Sequence, residues 1–483
     1  MGGGRPYPSP LPDKDNYTVT FDGPDDPDHP HNWPLSKKMI ICSVLGFDAI
    51  CVAMGSAIFA SGTYQLMAEF NVASVVITLG TSLYVLGFAT GPVVWAPISE
   101  LYGRKIPLIL SGIAFVSFIF GCATAENLQT ALICRFFAGC IGSAPLVVVA
   151  AAFSDMFNNE TRGTAIVFFS MAVCIGPSFA PIFGAYIAES YLGWRWTQYI
   201  IGILAAFNLV TLIFFMKETH HPIILIEKAE KLRRRTGNWG IRAAHEDLRL
   251  SFKEICEKNI TRPLVLLFTE PIILLLSIYT AFIYGVIYMF LTAYPYVFTF
   301  KYEMKGGNAY LPMIGLCLGQ ILGSFFCLFA EKNYLQILKA NDGKPVPEAR
   351  LKPMMFGGIT FPIGILWFCW TGNYPDSIHW IVPTISGVLT GFATVTIFMP
   401  AINYIIDSYL IFAASALAAN TFLRSGFGCA FPLFSGYMFS DLGVNWSGLL
   451  LGLFGLLLAP VPFLFYKYGK KIRTKSKYAF DLN

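Results

Sequence analysis

Twelve apolar segments, each about as long as a bilayer is thick, divide this chain of 483 residues and leave it very few folds. A hydrocarbon core takes roughly 20 apolar residues per spanning helix. Only helices or closed barrels satisfy their own backbone there. The segments fall at 39–61, 75–96, 106–124, 129–153, 163–187, 196–216, 264–292, 309–330, 354–371, 379–402, 409–436 and 445–466, and are called spans 1 to 12 below. Only 13% of the residues are charged and the mean hydropathy is +0.58, against about 25% charged in soluble proteins. The expected fold is an all-α integral membrane protein of two six-helix bundles. Its divisions would be a disordered tail (1–38), a first bundle (39–216), a central loop (217–262), a second bundle (263–466) and a basic tail (467–483).

An even number of spans puts both termini on one side. The two tails, the central loop and the even-numbered loops hold 29 of the 34 Lys and Arg. The opposite loops hold Arg195, Lys301 and Lys305, and Arg135 and Arg424 lie within spans. By the positive-inside rule both termini are cytoplasmic. The net charge of +5 then reflects topology rather than nucleic-acid binding. The basic tail (Lys467, Lys470, Lys471, Arg473, Lys475, Lys477) fits contact with anionic lipid and serves equally as a stop-transfer anchor. Residues 1–36 lack the apolar core of a cleavable signal. Ten of the 11 cysteines fall in or beside spans, with no metal-type spacing, and read as small packing residues. The sequons at Asn16, Asn159 and Asn259 are on the cytoplasmic side and Asn445 is too near the bilayer, so no N-glycosylation is expected.

The halves echo each other. Asp155-Met-Phe157 closes span 4 and Asp407-Ser-Tyr409 closes span 10, each followed by a helix rich in small residues. Two parallel repeats with the solute site at their interface near the midplane are an established transporter design.

Several motifs carry a family resemblance. Gly91-Pro-Val-Val-Trp-Ala-Pro-Ile-Ser-Glu-Leu-Tyr-Gly-Arg-Lys105 lies between spans 2 and 3 and resembles the loop signature of the major facilitator superfamily, with Glu100 at the usual Asp and Leu101 at the usual Arg. Leu132-Ile-Cys-Arg135-Phe-Phe-Ala-Gly139 in span 4 is similar to the family's Arg-Phe-x-x-Gly pattern. Gly176-Pro-Ser-Phe-Ala-Pro-Ile-Phe-Gly184 in span 5 resembles the signature of its antiporters, with Ala180 where Gly is common. Asp26 to Pro34, Lys217 to Pro222, Glu270-Pro-Ile, Tyr284-Gly285, Ala293-Tyr-Pro295, Arg424-Ser-Gly and Phe431 to Phe434 resemble the fungal drug:proton antiporter branch with twelve spans. The resemblance runs from about Asp26 to the end of span 12. The Pro-Glu-Ser-Pro-Arg string of the sugar porters is not found.

The resemblance implies gating by Gly91, Glu100, Gly103, Arg104 and Lys105, by Asp155 and Arg162 of the loop between spans 4 and 5, and by Gly176, Pro177, Pro181 and Gly184. It associates Arg135 with proton transfer. Arg135 cannot itself deprotonate and would act on a nearby carboxylate. Asp48 in span 1 is the candidate, because a carboxylate at that depth is charged only if paired and otherwise takes up a proton. A purely structural Asp48–Arg135 pair is the alternative. Spans 1, 4, 7 and 10 line the cavity in this fold, with 2, 5, 8 and 11 beside them. Tyr279, Tyr284, Tyr288, Phe398 and Asn403 lie on lining helices, and Tyr84, Asn420 and Arg424 beside them. Aromatic walls with few polar groups suit an amphipathic ligand, although packing would explain any one of these aromatics.

The implied activity is proton-coupled export of drugs, polyamines or a secondary metabolite across the plasma membrane. The alternative is a proton symporter or facilitator importing a nutrient or organic acid. Partners would be the solute, protons and membrane lipid, the chain acting as a monomer with no cofactor. No phosphate-cradling loop, metal cluster or nucleophile triad points to an enzyme.

Overall fold

A computed structural model describes residues 17–23, 25–247, 257–341, 344–409 and 412–478. Among them the backbone is helical wherever the sequence is continuously apolar. The first six spans are Leu35–Phe70, Ser74–Tyr102, Lys105–Ala123, Leu128–Met156, Asn159–Glu189 and Arg195–Phe215. The second six are Pro271–Tyr296, Met313–Ala340, Lys352–Gly372, Ile381–Ser408, Ala413–Asp441 and Gly443–Arg473. Eleven of these helices are long and apolar enough to cross a membrane. Span 11 is as long (29 residues) but less apolar, because Ala, Ser, Asn420 and Arg424 fill positions that its neighbours fill with Leu and Ile. It lies between spans 7 and 2, where small residues permit close approach.

The first half has clusters of its own, and the cluster built around span 7 in the second reaches across to Ala57, Val85 and Ile182 of the first. Gly176 and Gly184 set span 5 against span 1: a Cβ on Gly176 would lie 2.7 Å from Ala53, and one on Gly184 2.6 Å from Ser61. Pro177 and Pro181 lie between them inside the same helix. Gly91 lets span 2 touch span 4, since a Cβ there would sit 2.1 Å from the Cys140 carbonyl.

Three expected divisions shift. The first tail is not free over its described part. Val19 donates to the Arg242 carbonyl at 2.8 Å, Arg242 donates to Tyr17 at 3.0 Å, and Trp33 is buried in the first bundle. The central segment is not a plain loop: His221–Thr236 is a helix, closed by Gly237 at φ +65°. The basic tail continues span 12 as helix to Arg473, which pairs with Glu348 at 2.8 Å rather than standing clear of the protein. Cys256 lies outside the described residues.

The tail is docked by charge and by ring packing. Lys228 holds Asp22 at 2.8 Å and Asp26 at 3.1 Å, while His29, His31 and His221 cluster with ring centroids 4.6–5.4 Å apart. The backbone amides of Asp22 and Asp28, followed by Lys228, hold the Asp26 carboxyl at about 2. Burial lowers His29 and His31 below 6.5, and the neighbouring His221 adds to it. A depressed His is neutral when docked, so docking is intact above pH 6.5 and weakens as pH falls below it. Asp26 contributes stability above 3.8 that is lost only as pH falls toward 2, and it is silent in this window. Residues 17–33 are therefore expected to exchange amide hydrogens faster at pH 5.5 than at pH 7.5, after correction for intrinsic rates. Equal protection at the two values would contradict the docking account.

Candidate functional site

Span 1 turns from α-helix to a 3-10 turn at Phe59–Gly62, and Arg135 is anchored just before that change. Its Nη1 donates to Gly55 O at 2.6 Å, Nη2 to Ser56 O at 3.0 Å, and Nε to Gly80 O of span 2 at 3.0 Å. The guanidinium lies 4.3 Å from the Tyr84 ring centroid and 5.0 Å from that of Phe59. It is wholly buried. Tyr84 donates to Val52 O at 2.9 Å. One cation thus ties spans 1, 2 and 4 together.

Asp48 is not its partner. Gly55 lies seven residues further along span 1, about 10 Å along the axis. Asp48 is 7% exposed and faces the Asn208 side chain of span 6. The expected direct action of Arg135 on Asp48 therefore has no contact to carry it.

Across the interface, Ser56 Oγ and Tyr288 Oη are 2.8 Å apart, and Tyr288 Oη is 3.4 Å from Tyr284 Oη. Arg424 lies 4.8 Å from the Tyr284 ring centroid and 4.9 Å from that of Phe398, with its Nε buried and unpartnered. Tyr84, Tyr284, Tyr288, Phe398 and Arg424 thus form one layer with Arg135. Asn403 lies five residues beyond Phe398, about 7.5 Å along span 10. Tyr279 turns into the second bundle against Gly358. Asn420 donates to Thr280 at 2.7 Å inside that bundle. These three stand apart from the layer.

The halves meet above and below the layer. On the face bearing the termini, Glu331 of span 8 lies against Gly163 at the start of span 5, one residue from Arg162. At mid-depth Gln320 donates to Ser178 at 2.9 Å. On the far face Gly307 donates to Glu189 at 2.9 Å, Tyr186 to Asn308 at 2.7 Å, and Tyr310 to Ala60 O at 3.3 Å. Glu189 thus serves the interface; Arg195 pairs with Glu69 at 2.7 Å instead. The halves therefore touch on both faces and at mid-depth.

The loop signatures recur in both halves. Arg104 Nε meets Asp155 at 2.9 Å, and Arg350 Nε meets Asp407 at 2.9 Å. Arg350 also reaches Glu331, which links this pair to span 5. Glu100 ends span 2 half-buried, and Lys105 opens span 3. The amides of Arg104 and Lys105 donate to Glu218 at 2.8 and 3.1 Å, as do those of Thr219 and His220 at 2.9 and 2.8 Å. Burial, followed by the Arg104 charge, lowers His220.

Gly103 makes that junction possible. Its φ is +87°, and a Cβ would come 2.4 Å from Glu218 Oε2. Such backbone is essentially restricted to Gly and costs about 1–3 kcal/mol otherwise. Gly103→Ala is expected to lower the melting temperature of the purified protein by several degrees. A wild-type melting temperature would show that the junction adapts.

Sequence reasoning missed Ser56, Asn208, Glu218, Gln320 and the Glu331–Arg350 pair. The Arg350–Asp407 pair was within reach, because Asp407 had been matched to Asp155.

A family model described as the Major Facilitator Superfamily matches residues 45–432. The chain is similar to "Multidrug transporter TPO1_2" of Candida glabrata, 55% identical over 482 residues, which covers 100% of this chain and 83% of that protein. It is similar to "Major facilitator superfamily multidrug transporter FLU1" of Candida albicans, 53% identical over 483 residues, covering 100% of this chain and 79% of that protein. The fold is similar to the xylose transporter XylE from E. coli in a partially occluded inward-open conformation, with TM-score 0.62, 17% identity, and coverage of 90% of this chain and 98% of that one.

Proposed function

The chain belongs to the major facilitator superfamily, and from that premise we propose that it exports amphipathic small molecules by proton-coupled antiport. It is a transporter and not an enzyme. The observation that carries the amphipathic-solute reading is the aromatic layer around Arg424 at the meeting of the two halves, and the span 5 motif Gly176 to Gly184, which resembles that of antiporters, supports export as the direction. The names of the relatives, multidrug transporters, support the same substrate class.

In this reading the face bearing the termini is cytoplasmic, the membrane is the plasma membrane, and the protein works as a monomer among lipids. The two six-helix bundles are the moving units in this reading, and the first tail and the central helix are docked together. The halves rock alternately about the central layer. Solute enters from the cytoplasm and rests against Tyr284, Tyr288, Phe398 and Arg424, with Tyr84 behind them; Tyr279, Asn403 and Asn420 support the lining. The Arg104–Asp155 and Arg350–Asp407 pairs, with Glu100, Lys105, Arg162, Gly91 and Gly103, hold the cytoplasmic side, and the Gly176–Gly184 stretch lets span 5 slide on span 1. Asp48 carries the proton: it is a buried carboxylate that faces the Asn208 amide and forms no ion pair among the described residues, so a charge there is costly, and it releases the proton when rocking lets water reach it. About 100 mV supplies roughly 2.3 kcal/mol per charge, and one pH unit adds about 1.36 kcal/mol. Together they sustain a concentration ratio of several hundred for a neutral solute.

Efflux-deficient yeast expressing the wild type and Arg424→Ala should separate on a panel of azoles, cycloheximide, polyamines and weak acids. Wild-type cells should tolerate at least one class, and the variant at equal surface level should lose that tolerance. Heightened sensitivity of wild-type cells would mean import and would overturn the reading.

A further inference from the structure

A cavity distinct from the aromatic layer lies on the outward side of the Ser56–Tyr288 bond. We infer that it is a release site for an uncharged amphipathic solute, with the Thr81 hydroxyl as its polar anchor. Its volume is about 270 Å³, just below the roughly 300–1,000 Å³ of small-molecule pockets. Spans 1 and 2 of the first half and spans 7 and 11 of the second enclose it, with Tyr64, Ile77, Tyr296, Tyr310 and Pro432 among its walls. None of the lining residues bears a charge. Leu291 of its wall is three residues past Tyr288, so the cavity begins where the central layer ends.

Thr81 carries the argument. It is 2% exposed, it lines the cavity, and its Oγ1 has no hydrogen-bond partner. Other Thr side chains in the spans bond back to the carbonyl four residues earlier: Thr78 to Ser74 at 3.0 Å, Thr280 to Leu276 at 2.8 Å, Thr394 to Thr390 at 2.9 Å. Thr81 does not, although it could turn toward Ile77. A buried hydroxyl left unmet is unfavourable, and an acceptor or donor on a bound molecule removes that penalty.

Charge on the walls then selects the molecule. Arg135, which reaches the Gly80 carbonyl beside Thr81, has its three nitrogens committed to carbonyls. A polycation entering this space would find no carboxylate and an anion no free donor of positive charge. A neutral molecule with an apolar body and one or two polar atoms meets aromatic walls and the Thr81 hydroxyl. Because both halves contribute walls, the site is remade in every cycle as they rock, as a site occupied on the way out must be. The inference rests on the export reading for its direction, but the binding itself does not require transport.

The test uses full-length protein with cycloheximide as a neutral probe and spermidine as a cation. Thr81→Val keeps the shape and removes the hydroxyl; Thr81→Ser keeps the hydroxyl; Ile77→Trp fills the cavity. Thr81→Val should raise the apparent KM for cycloheximide export three- to tenfold, Thr81→Ser should stay within twofold of wild type, and Ile77→Trp should abolish cycloheximide export, while spermidine export stays within twofold in all three. Tritiated cycloheximide binding to protein purified into nanodiscs supplies a readout that is independent of transport and of surface level. It should weaken three- to tenfold in Thr81→Val. Wild-type binding and export in Thr81→Val would overturn the inference, and so would a parallel fall of both solutes, which would mean a general packing defect at the outer gate. Thr81-dependent binding without export would overturn the export reading and leave the site standing. Neither binding nor export by the wild type would overturn both.

Discussion

Replacing Arg135 with Ala is expected to lower export at least ~100-fold at equal surface level, because each hydrogen bond from a charged group contributes about 1.5–3 kcal/mol and three are lost. The Gly55, Ser56 and Gly80 carbonyls lose their shared donor, and the Tyr84 and Phe59 rings lose the cation between them. Span 1 changes helix type at that point, so its outer end loses its tie to spans 2 and 4. Arg135→Lys keeps the charge but not the planar fork, and one ammonium cannot serve three carbonyls on two helices in the same geometry. It should retain less than about a tenth of the rate. Initial rates of solute loss from preloaded cells, divided by surface protein, measure both. An Arg135→Ala rate within twofold of wild type would reduce Arg135 to a packing residue.

Asp48→Asn should abolish the dependence of export on the pH gradient without loss of folded protein. Asn has nearly the same volume and keeps a polar contact with Asn208, so span 1 loses no packing. It cannot take up a proton in the relevant range. In the wild type a gradient one unit steeper should raise the steady-state ratio about tenfold for one proton per cycle, since one unit is about 1.36 kcal/mol. In the variant the ratio should not move, while exchange of labelled for unlabelled solute continues. Tenfold dependence in the variant would take Asp48 out of the mechanism and direct attention to other carboxylates at the interface, Glu331 first.

The twelve helices were legible because hydropathy over about 20 residues is a local property. Span 11 shows where that measure weakens: Asn420 and Arg424 are accommodated by spans 7 and 10, which a window on span 11 cannot see. The repeat was legible in Asp155 and Asp407, and the structure gives each an Arg from the preceding inter-span loop region. Contacts between distant helices were harder. Asp48 and Arg135 each sit within a span, but spans 1 and 4 run in opposite directions, and helical rise puts Asp48 about two turns from the carbonyls that Arg135 reaches. Glu189 had an attractive partner six residues away in Arg195, but Glu69 took it and left Glu189 to the Gly307 amide. The docked tail was hidden because Asp22 and Asp26 find Lys228 some two hundred residues later. Thr81 was invisible in principle, since an unmet hydroxyl is a fact about a side-chain rotamer and its surroundings.

The most direct test of proton-coupled export is solute accumulation in inside-out vesicles, with the interior acidified relative to the bath and the protein as the only added transporter. The account predicts that solute accumulates against its own gradient, that a protonophore collapses the accumulation, and that adding solute makes protons leave the vesicle. Accumulation that persists when the pH gradient and the membrane potential are both collapsed, or solute leaving together with protons, would contradict it.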